Sequence, residues 1–373
     1  MSVELRPSHD CGASNEDITD FAKKVVTDTR ISDAIDGFDV PFYQAGLAGY
    51  SDAAMRLIAR SHGCPLCVTE ALLDRTLISG GKGRRKEDPD TLAKEIDELQ
   101  DGDNRELFDH PIAGQIIGTD PKEMASGALI LVDMGYDVID VNLACPVKKA
   151  RRRNRGGHFL SAPHDACEIL SSVRKVVPDN IPTTVKLRCG WDDSVESKDK
   201  FYLVFDHAYS VGYTWTTVHP RTVEQRYQGP SDWSFLSELT TNRPDALVFG
   251  SGDIWCAEDI FRMMKQTGVH GVSVARGCIG NPWIFKQARA LMKGKKPQLP
   301  TINEQRLVLL EHLSLCTGLH GEKKSTRLMR KFGIQFSKYH PETDEVKKSF
   351  IQTESVLDWK KVIDRFYHRD SNC

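Results

Sequence analysis

The chain has 373 residues, 40% hydrophobic and 27% charged, with a net charge of −2. That length suits one large domain with a smaller one attached, and the charge balance excludes a chain-wide field for polyanions, leaving only local patches. No apolar run approaches the roughly 18 residues that span a bilayer, the first thirty residues hold no apolar signal core, and the ten cysteines lack paired spacing, so a reducing, cytoplasmic compartment is expected.

Residues 1–37 read as a polar N-terminal extension, with a weak amphipathic helix over 17–35 carried by Ile18, Phe21, Val25 and Val26. From residue 40, short apolar strands alternate with helical patterns, the signature of βαβ units and a parallel sheet. The expected strands cover 40–45, 66–70, 112–117, 138–142, 183–188, 215–219, 246–250 and 271–275. Ser51-Asp52 N-caps a helix over 53–62, and Thr119-Asp120-Pro121 opens another. Cys64-Pro-Leu-Cys67 has no second pair, so no metal site is expected. Residues 80–109 form a polar insertion. After residue 295 the rhythm changes to helices alone, over 307–316, 325–338, 344–352 and 356–367. The pattern predicts an α/β chain: a (β/α)8 TIM barrel over 38–294, then a small helical domain over 295–373. An open doubly wound sheet would have fewer strands and an early Gly-rich fingerprint.

In such a barrel, chemistry belongs at the C-terminal ends of the strands. Those ends carry Gly46-Leu47-Ala48, Glu70, Gln115, Asn142 with Cys145, Lys186 with Arg188, His219 with Arg221, Ser251-Gly252-Asp253 and Ala275-Arg276-Gly277. One polar strand end is ordinarily a hydrogen-bonded rim group. Seven of eight carrying one argue for a shared ligand. The loops after strands seven and eight commonly bind phosphate, and Ser251, Gly252, Asp253, Ala275 and Arg276 offer small residues, backbone N–H groups and a guanidinium. Lys186 can stabilise the reduced anion of an electron-accepting ring, and Gln115 can hydrogen-bond that ring. Flavin mononucleotide (FMN) across the barrel mouth answers both observations.

Cys145-Pro146 opens the loop after the fourth strand, and six of the eight residues from Lys148 to Arg155 are basic. A lone cysteine is ordinarily a small buried hydrophobe, but a loop position among cations favours a reactive thiol. Nucleophile and proton donor are both open to it. Basic neighbours that lower the thiol pKa would suit a nucleophile, and an ordinary thiol, mostly protonated near neutral pH, would suit a proton donor. Lys148, Lys149, Arg151, Arg152 and Arg153 form a patch suited to backbone phosphates. Arg327, Arg330 and Lys331 fall at i, i+3 and i+4 and share a helix face that suits the same partner, the plainer reading being a solvated face.

Several stretches together resemble the tRNA-dihydrouridine synthases, most closely the bacterial type B branch. They are Ala45-Gly-Leu-Ala-Gly-Tyr-Ser-Asp52, Gln115-Ile-Ile-Gly-Thr-Asp-Pro-Lys-Glu-Met124, Ile139-Asp-Val-Asn-Leu-Ala-Cys-Pro-Val-Lys-Lys149, Val185-Lys-Leu-Arg188, His219-Pro-Arg-Thr222, Ser251-Gly-Asp253 and Ala275-Arg-Gly-Cys-Ile-Gly-Asn-Pro-Trp-Ile-Phe285, with Thr326-Arg-Leu-Met-Arg-Lys331 in the helical part. The likeness runs from about residue 40 to 360. It implies an FMN enzyme that reduces the C5=C6 bond of uridine in tRNA with NADPH. Gly46, Leu47, Ala48, Gln115, Lys186, His219, Ser251, Gly252, Asp253, Ala275 and Arg276 would hold FMN. Asn142 would meet the uracil, with Arg221 a second candidate, and Cys145 would be the general acid. A monomer that binds tRNA is expected.

The chain departs from the family pattern at the rim. It has Gly46-Leu47 where the family usually has Pro-Met, Ala144 for Gly, Pro220 for Gly, Ser251 for Asn and Ala275 for Gly. After the basic stretch it has Arg155-Gly156-Gly157 where the family has Ala-Gly-Ser. Two other readings stand beside the first: an FMN oxidoreductase of a small molecule, which turnover of a free enone would favour, and an RNA-binding protein without catalysis, which a colourless tRNA-binding protein would favour.

Overall fold

The computed structural model describes residues 15–80, 92 and 108–368. Residues 1–14 of the expected extension and nearly all of the expected insertion lie outside the described residues. The described residues form nine strands: β1 (Phe42–Gln44), β2 (Cys67–Val68), β3 (Leu72–Leu73), β4 (Ile112–Ile117), β5 (Val138–Leu143), β6 (Thr183–Arg188), β7 (Trp215–His219), β8 (Val248–Ser251) and β9 (Gly271–Val274). All their pairings are parallel. β1 pairs with both β2 and β9, and β2 also pairs with β4, so eight strands close into a TIM barrel. β3, which the sequence did not suggest, is a two-residue addition alongside the end of β4.

The strand period of two sorts each strand between two environments. In β5, Ile139, Val141 and Leu143 pack outward on the helices, whereas Val138 joins a separate cluster inside the barrel. Asp140 and Asn142 follow Val138 at steps of two and share its inward face. The bottom of the barrel is filled by aromatic rings: Tyr43, Trp215 and Phe249 pack with Phe38, Ile31 and Ile35. Part of the expected extension therefore plugs the N-terminal end of the barrel. The single helix expected over 17–35 is divided into Asn15–Ala22 and Thr29–Ser32. Asp28 takes an extended backbone there, and its side chain accepts from the Arg30 N–H, which restarts the chain as a new turn.

Helices follow the strands as the pattern implied. Asp52 caps Ala53–Ser61, and Asp120 caps Pro121–Asp133 by accepting from Lys122 and Glu123. After Trp283–Met292 come Ile302–His320, Glu322–Phe336, Thr343–Ile351 and Val356–Phe366. Thr301 and Glu304 form a capping box that starts the first of these, five residues before the expected start, because the cap lies upstream of the apolar pattern. Gly333 lets the Phe350 and Trp359 rings approach closely; a Cβ there would come within 2.7 and 2.8 Å of them. Among the described residues, no helix is long and apolar enough to cross a membrane.

Candidate active site

An open cleft lies at the C-terminal ends of the strands. Every residue expected to hold a cofactor, from Gly46 to Arg276, lines it, and so do Asn142 and Cys145. Barrel closure brings them together from strands far apart in the chain.

A polar chain runs along the floor towards Cys145. Asn142 Oδ1 accepts from the backbone N–H groups of Ala144 and Cys145, both at 3.1 Å. That fixes the amide's orientation: Nδ2 donates to Gln115 Oε1 at 2.7 Å, and Gln115 Nε2 donates to Asp140 Oδ2 at 2.7 Å. Thr184 donates to the other Asp140 oxygen at 2.7 Å. Burial pushes the Asp140 carboxyl above its ordinary range, while the Thr184 and Gln115 hydrogen bonds and the Lys186 charge oppose the shift. Asn142, expected at the uracil, thus turns the loop that carries Cys145.

The Cys145 loop is held from three sides. Arg188 Nε donates to the Ala144 carbonyl at 3.1 Å, and the Gly157 N–H donates to the Cys145 carbonyl at 3.1 Å. Gly156 has φ of +59° and approaches so closely that a Cβ there would come 2.7 Å from Cys145 Cβ. Cys145 is half-buried and lines the cleft.

The strands that follow around the rim are cationic. Lys186 lies beside Asn142 in register, 3.5 Å from Ser251 Oγ. Burial lowers its pKa to about 8, with Asp140 opposing and Arg188 adding to the shift. His219 Nε2 is 3.1 Å from Arg221 Nη1, and since a guanidinium only donates, Nε2 accepts and Nδ1 carries the hydrogen. Burial first, then Arg188, Lys186 and Arg221, hold His219 well below its usual pKa and hence neutral. Arg276 stacks over Trp255 at 4.8 Å and Tyr227 at 5.1 Å, and its Nη2 lies 3.6 Å from Asp253. Gly252 has φ of +108° and packs closely on Ser231, which would lie 3.0 Å from a Cβ there.

Arg221 does not line the cleft. Its side chain is 1% exposed, donates to both Asp253 oxygens at 2.8 and 2.6 Å, and also binds the Gly229 carbonyl. It braces Asp253 and His219 from behind. The basic residues also divide. Lys148, Arg152 and Arg153 are exposed, on or beside a single helical turn, Lys148–Arg151, where a loop was expected, while Arg151 lies 4.7 Å from the Trp191 ring centre. The Lys149 side chain is outside the described set. Arg327 is exposed, but Arg330 Nε donates to the Thr353 carbonyl at 2.7 Å, and Lys331 lies over Tyr50 at 4.4 Å. The expected shared basic face is therefore partly occupied by helix packing and by the first barrel loop.

Sequence reasoning named Arg188 at the rim without a role and passed over Asp140, Tyr227 and Trp255. Asp140 had a signal, since it stands two residues from the named inward Asn142. Tyr227 and Trp255 sit in loops without periodicity and had none.

A sequence model of the dihydrouridine synthase family matches residues 43–368. The chain is 29% identical over 294 residues to a probable tRNA-dihydrouridine synthase of Rhodobacter capsulatus, covering 79% of this chain and 85% of that one. It is 28% identical over 294 residues to tRNA-dihydrouridine synthase B of Pasteurella multocida, covering 78% and 81%. Among solved structures, histamine dehydrogenase from Rhizobium sp. 4-9 is similar with a TM-score of 0.51 at 13% identity, covering 80% of this chain and 51% of that one, a likeness of barrel fold. The family match takes in the Asn142 and Cys145 loop, the cationic wall and the helices beyond the barrel, and on that extent the chain belongs to the dihydrouridine synthase family.

Proposed function

We propose that the protein reduces the C5=C6 bond of uridine in tRNA, using FMN and NADPH. The observation that carries this reading is Cys145, on a loop pinned by Asn142, lining the same cleft as Lys186. The cleft suits FMN. Arg276 and the backbone at Gly252, both lining the cleft, fit a phosphate monoester, and Lys186, Gln115 and the His219 Nδ1–H fit the polar edge of the ring. The bound flavin would supply the hydride chemistry.

The chain's own residues would do the rest. Cys145 Sγ–H delivers its proton to C5 of the uracil. Asn142 keeps one Nδ2 hydrogen for a uracil carbonyl while its Oδ1 holds the loop. Arg221, displaced from the substrate role, keeps Asp253 and His219 in position. Lys148, Lys149, Arg151, Arg152, Arg153 and Arg327 meet tRNA phosphates, and the target base leaves its stack to enter the cleft. The barrel over 38–294 would bind FMN, the helices over 295–373 would dock the RNA, and the protein would act in the cytoplasm as a monomer.

The test is direct. The purified protein should be yellow and release FMN on denaturation, and it should convert uridine to dihydrouridine in tRNA with NADPH, read by mass spectrometry. Cys145→Ala should keep the flavin and its reduction by NADPH while slowing reoxidation by tRNA about 10²–10⁴-fold. A colourless protein, or a variant reoxidised by tRNA at the parent rate, overturns the proposal.

A further inference from the structure

His312, Cys316 and His320 fall at i, i+4 and i+8 on Ile302–His320, so they stand along one face of that helix. The face lies against the first barrel loop, where Asp52 caps Ala53–Ser61. His320 Nε2 is 3.0 Å from Asp52 Oδ2, across 268 residues of sequence. One donor atom each from Asp52, Cys316 and His320 lies within 4.8 Å of the other two. Asp52 Oδ1 is engaged by the Met55 N–H at 3.1 Å, which leaves Oδ2 turned to the cluster.

An ordinary account explains part of this. An Asp–His hydrogen bond can tie two elements together, and a buried cysteine can be a small hydrophobe. It does not explain His312. That imidazole is 2% exposed, and neither ring nitrogen has a hydrogen-bond partner among the described residues. Buried polar atoms are nearly always satisfied, and this unpartnered imidazole stands one helical turn from the Cys316 thiol. The donor set is also selective. Thiolate, imidazole and carboxylate together suit zinc, which takes them at about 2.0–2.3 Å in a tetrahedron, and suit calcium or magnesium poorly.

We propose that Asp52, Cys316 and His320 bind a zinc ion, with His312 beside them as the donor for the fourth position, and that the ion clamps the C-terminal helices onto the first barrel loop. Binding forms bonds to Asp52 Oδ2, Cys316 Sγ and His320 Nε2 and releases the thiol proton to solvent, while the His320 ring hydrogen moves to Nδ1, which has no partner among the described residues. The clamp bears on the cleft. The loop from Gly46 to Asp52 begins as cleft wall, and Lys331, on the helix after the cluster, lies over its Tyr50. The ion would hold that wall against the helices proposed to dock RNA. Local pattern does not reveal the cluster, because its thiol is far along the chain from the Cys64 and Cys67 pair and its carboxylate lies on another element.

The full-length protein, incubated with zinc and then dialysed, should retain stoichiometric zinc by elemental mass spectrometry. Cys316→Ser and His320→Gln should each lose most of it. With cobalt in place of zinc, a near-ultraviolet thiolate-to-metal charge-transfer band should appear, vanish in Cys316→Ser and persist in Cys64→Ser. The unsubstituted protein covers the case in which the variants do not fold. A chelator should lower its thermal midpoint by several degrees, and added zinc should restore it. Retention of no zinc after incubation, a cobalt band that survives Cys316→Ser or disappears in Cys64→Ser, or a midpoint indifferent to chelator and zinc overturns the proposal.

Discussion

Replacing Asn142 by alanine removes three hydrogen bonds at once: the 2.7 Å donation to Gln115 Oε1 and the two 3.1 Å bonds accepted from Ala144 and Cys145. A neutral hydrogen bond contributes about 1 kcal/mol net, so this partly buried set should cost about 2–3 kcal/mol of stability. The effect on chemistry is geometric. Without Asn142 Oδ1 the turn at Cys145 loosens, and a misplacement of about 1 Å can slow a positioned step about 10²-fold. Asn142→Asp separates the two roles. It keeps an acceptor for both backbone N–H groups and loses the donor to Gln115, so it should be less destabilised and keep more of the Cys145-dependent rate. Urea unfolding of the flavin-loaded protein gives the stability, and single-turnover reoxidation of the reduced flavin by tRNA gives the rate. The reasoning is refuted if Asn142→Ala unfolds at the parent midpoint while tRNA-dependent reoxidation is lost. That result would mean that the amide serves the substrate and not the loop.

Two further outcomes follow from the cationic wall. Burial lowers the Lys186 pKa to about 8, and an anionic ligand selects the protonated lysine, so FMN affinity of the apoprotein should fall as pH rises through about 8. Flavin-fluorescence titration should show that limb in the parent and not in Lys186→Met, and a parent affinity flat across the range rejects it. Arg221→Met leaves the Asp253 carboxylate buried without its bidentate partner, a break that typically costs about 3–5 kcal/mol. Urea unfolding should show that loss with tRNA affinity little changed, whereas an unchanged midpoint with weaker tRNA binding would return Arg221 to the substrate.

Much of the fold and half of the site could be read from local pattern. The alternation of strand and helix signals from residue 40 required a parallel sheet, and three of the eight expected barrel strands have the expected bounds, over 112–117, 183–188 and 215–219. The period of two then put Gln115, Asn142, Lys186, His219 and Ser251 on the inward rim, because a strand cannot turn one of its alternate residues without turning them all. Closing the barrel gathers those residues into one cleft.

What local pattern could not decide was the partner of each polar group. His219 and Arg221 stand two residues apart, yet one lines the cleft and the other is buried behind it, because the chain leaves the strand at His219 and its direction afterwards depends on Asp253 and Gly229. Arg327, Arg330 and Lys331 share a helix face in any helix. Only packing against Thr353 and Tyr50 determines which of them remains exposed. The extension became a plug because Ile31, Ile35 and Phe38 meet Trp215 and Phe249, rings some two hundred residues away. Asp52 meets His320 across a still longer interval. The sequence by itself determined the periodicities, and with them the strands, their inward faces and the cofactor rim. The tertiary structure decided the pairings between distant elements, because those depend on how surfaces dock, and no local period encodes that.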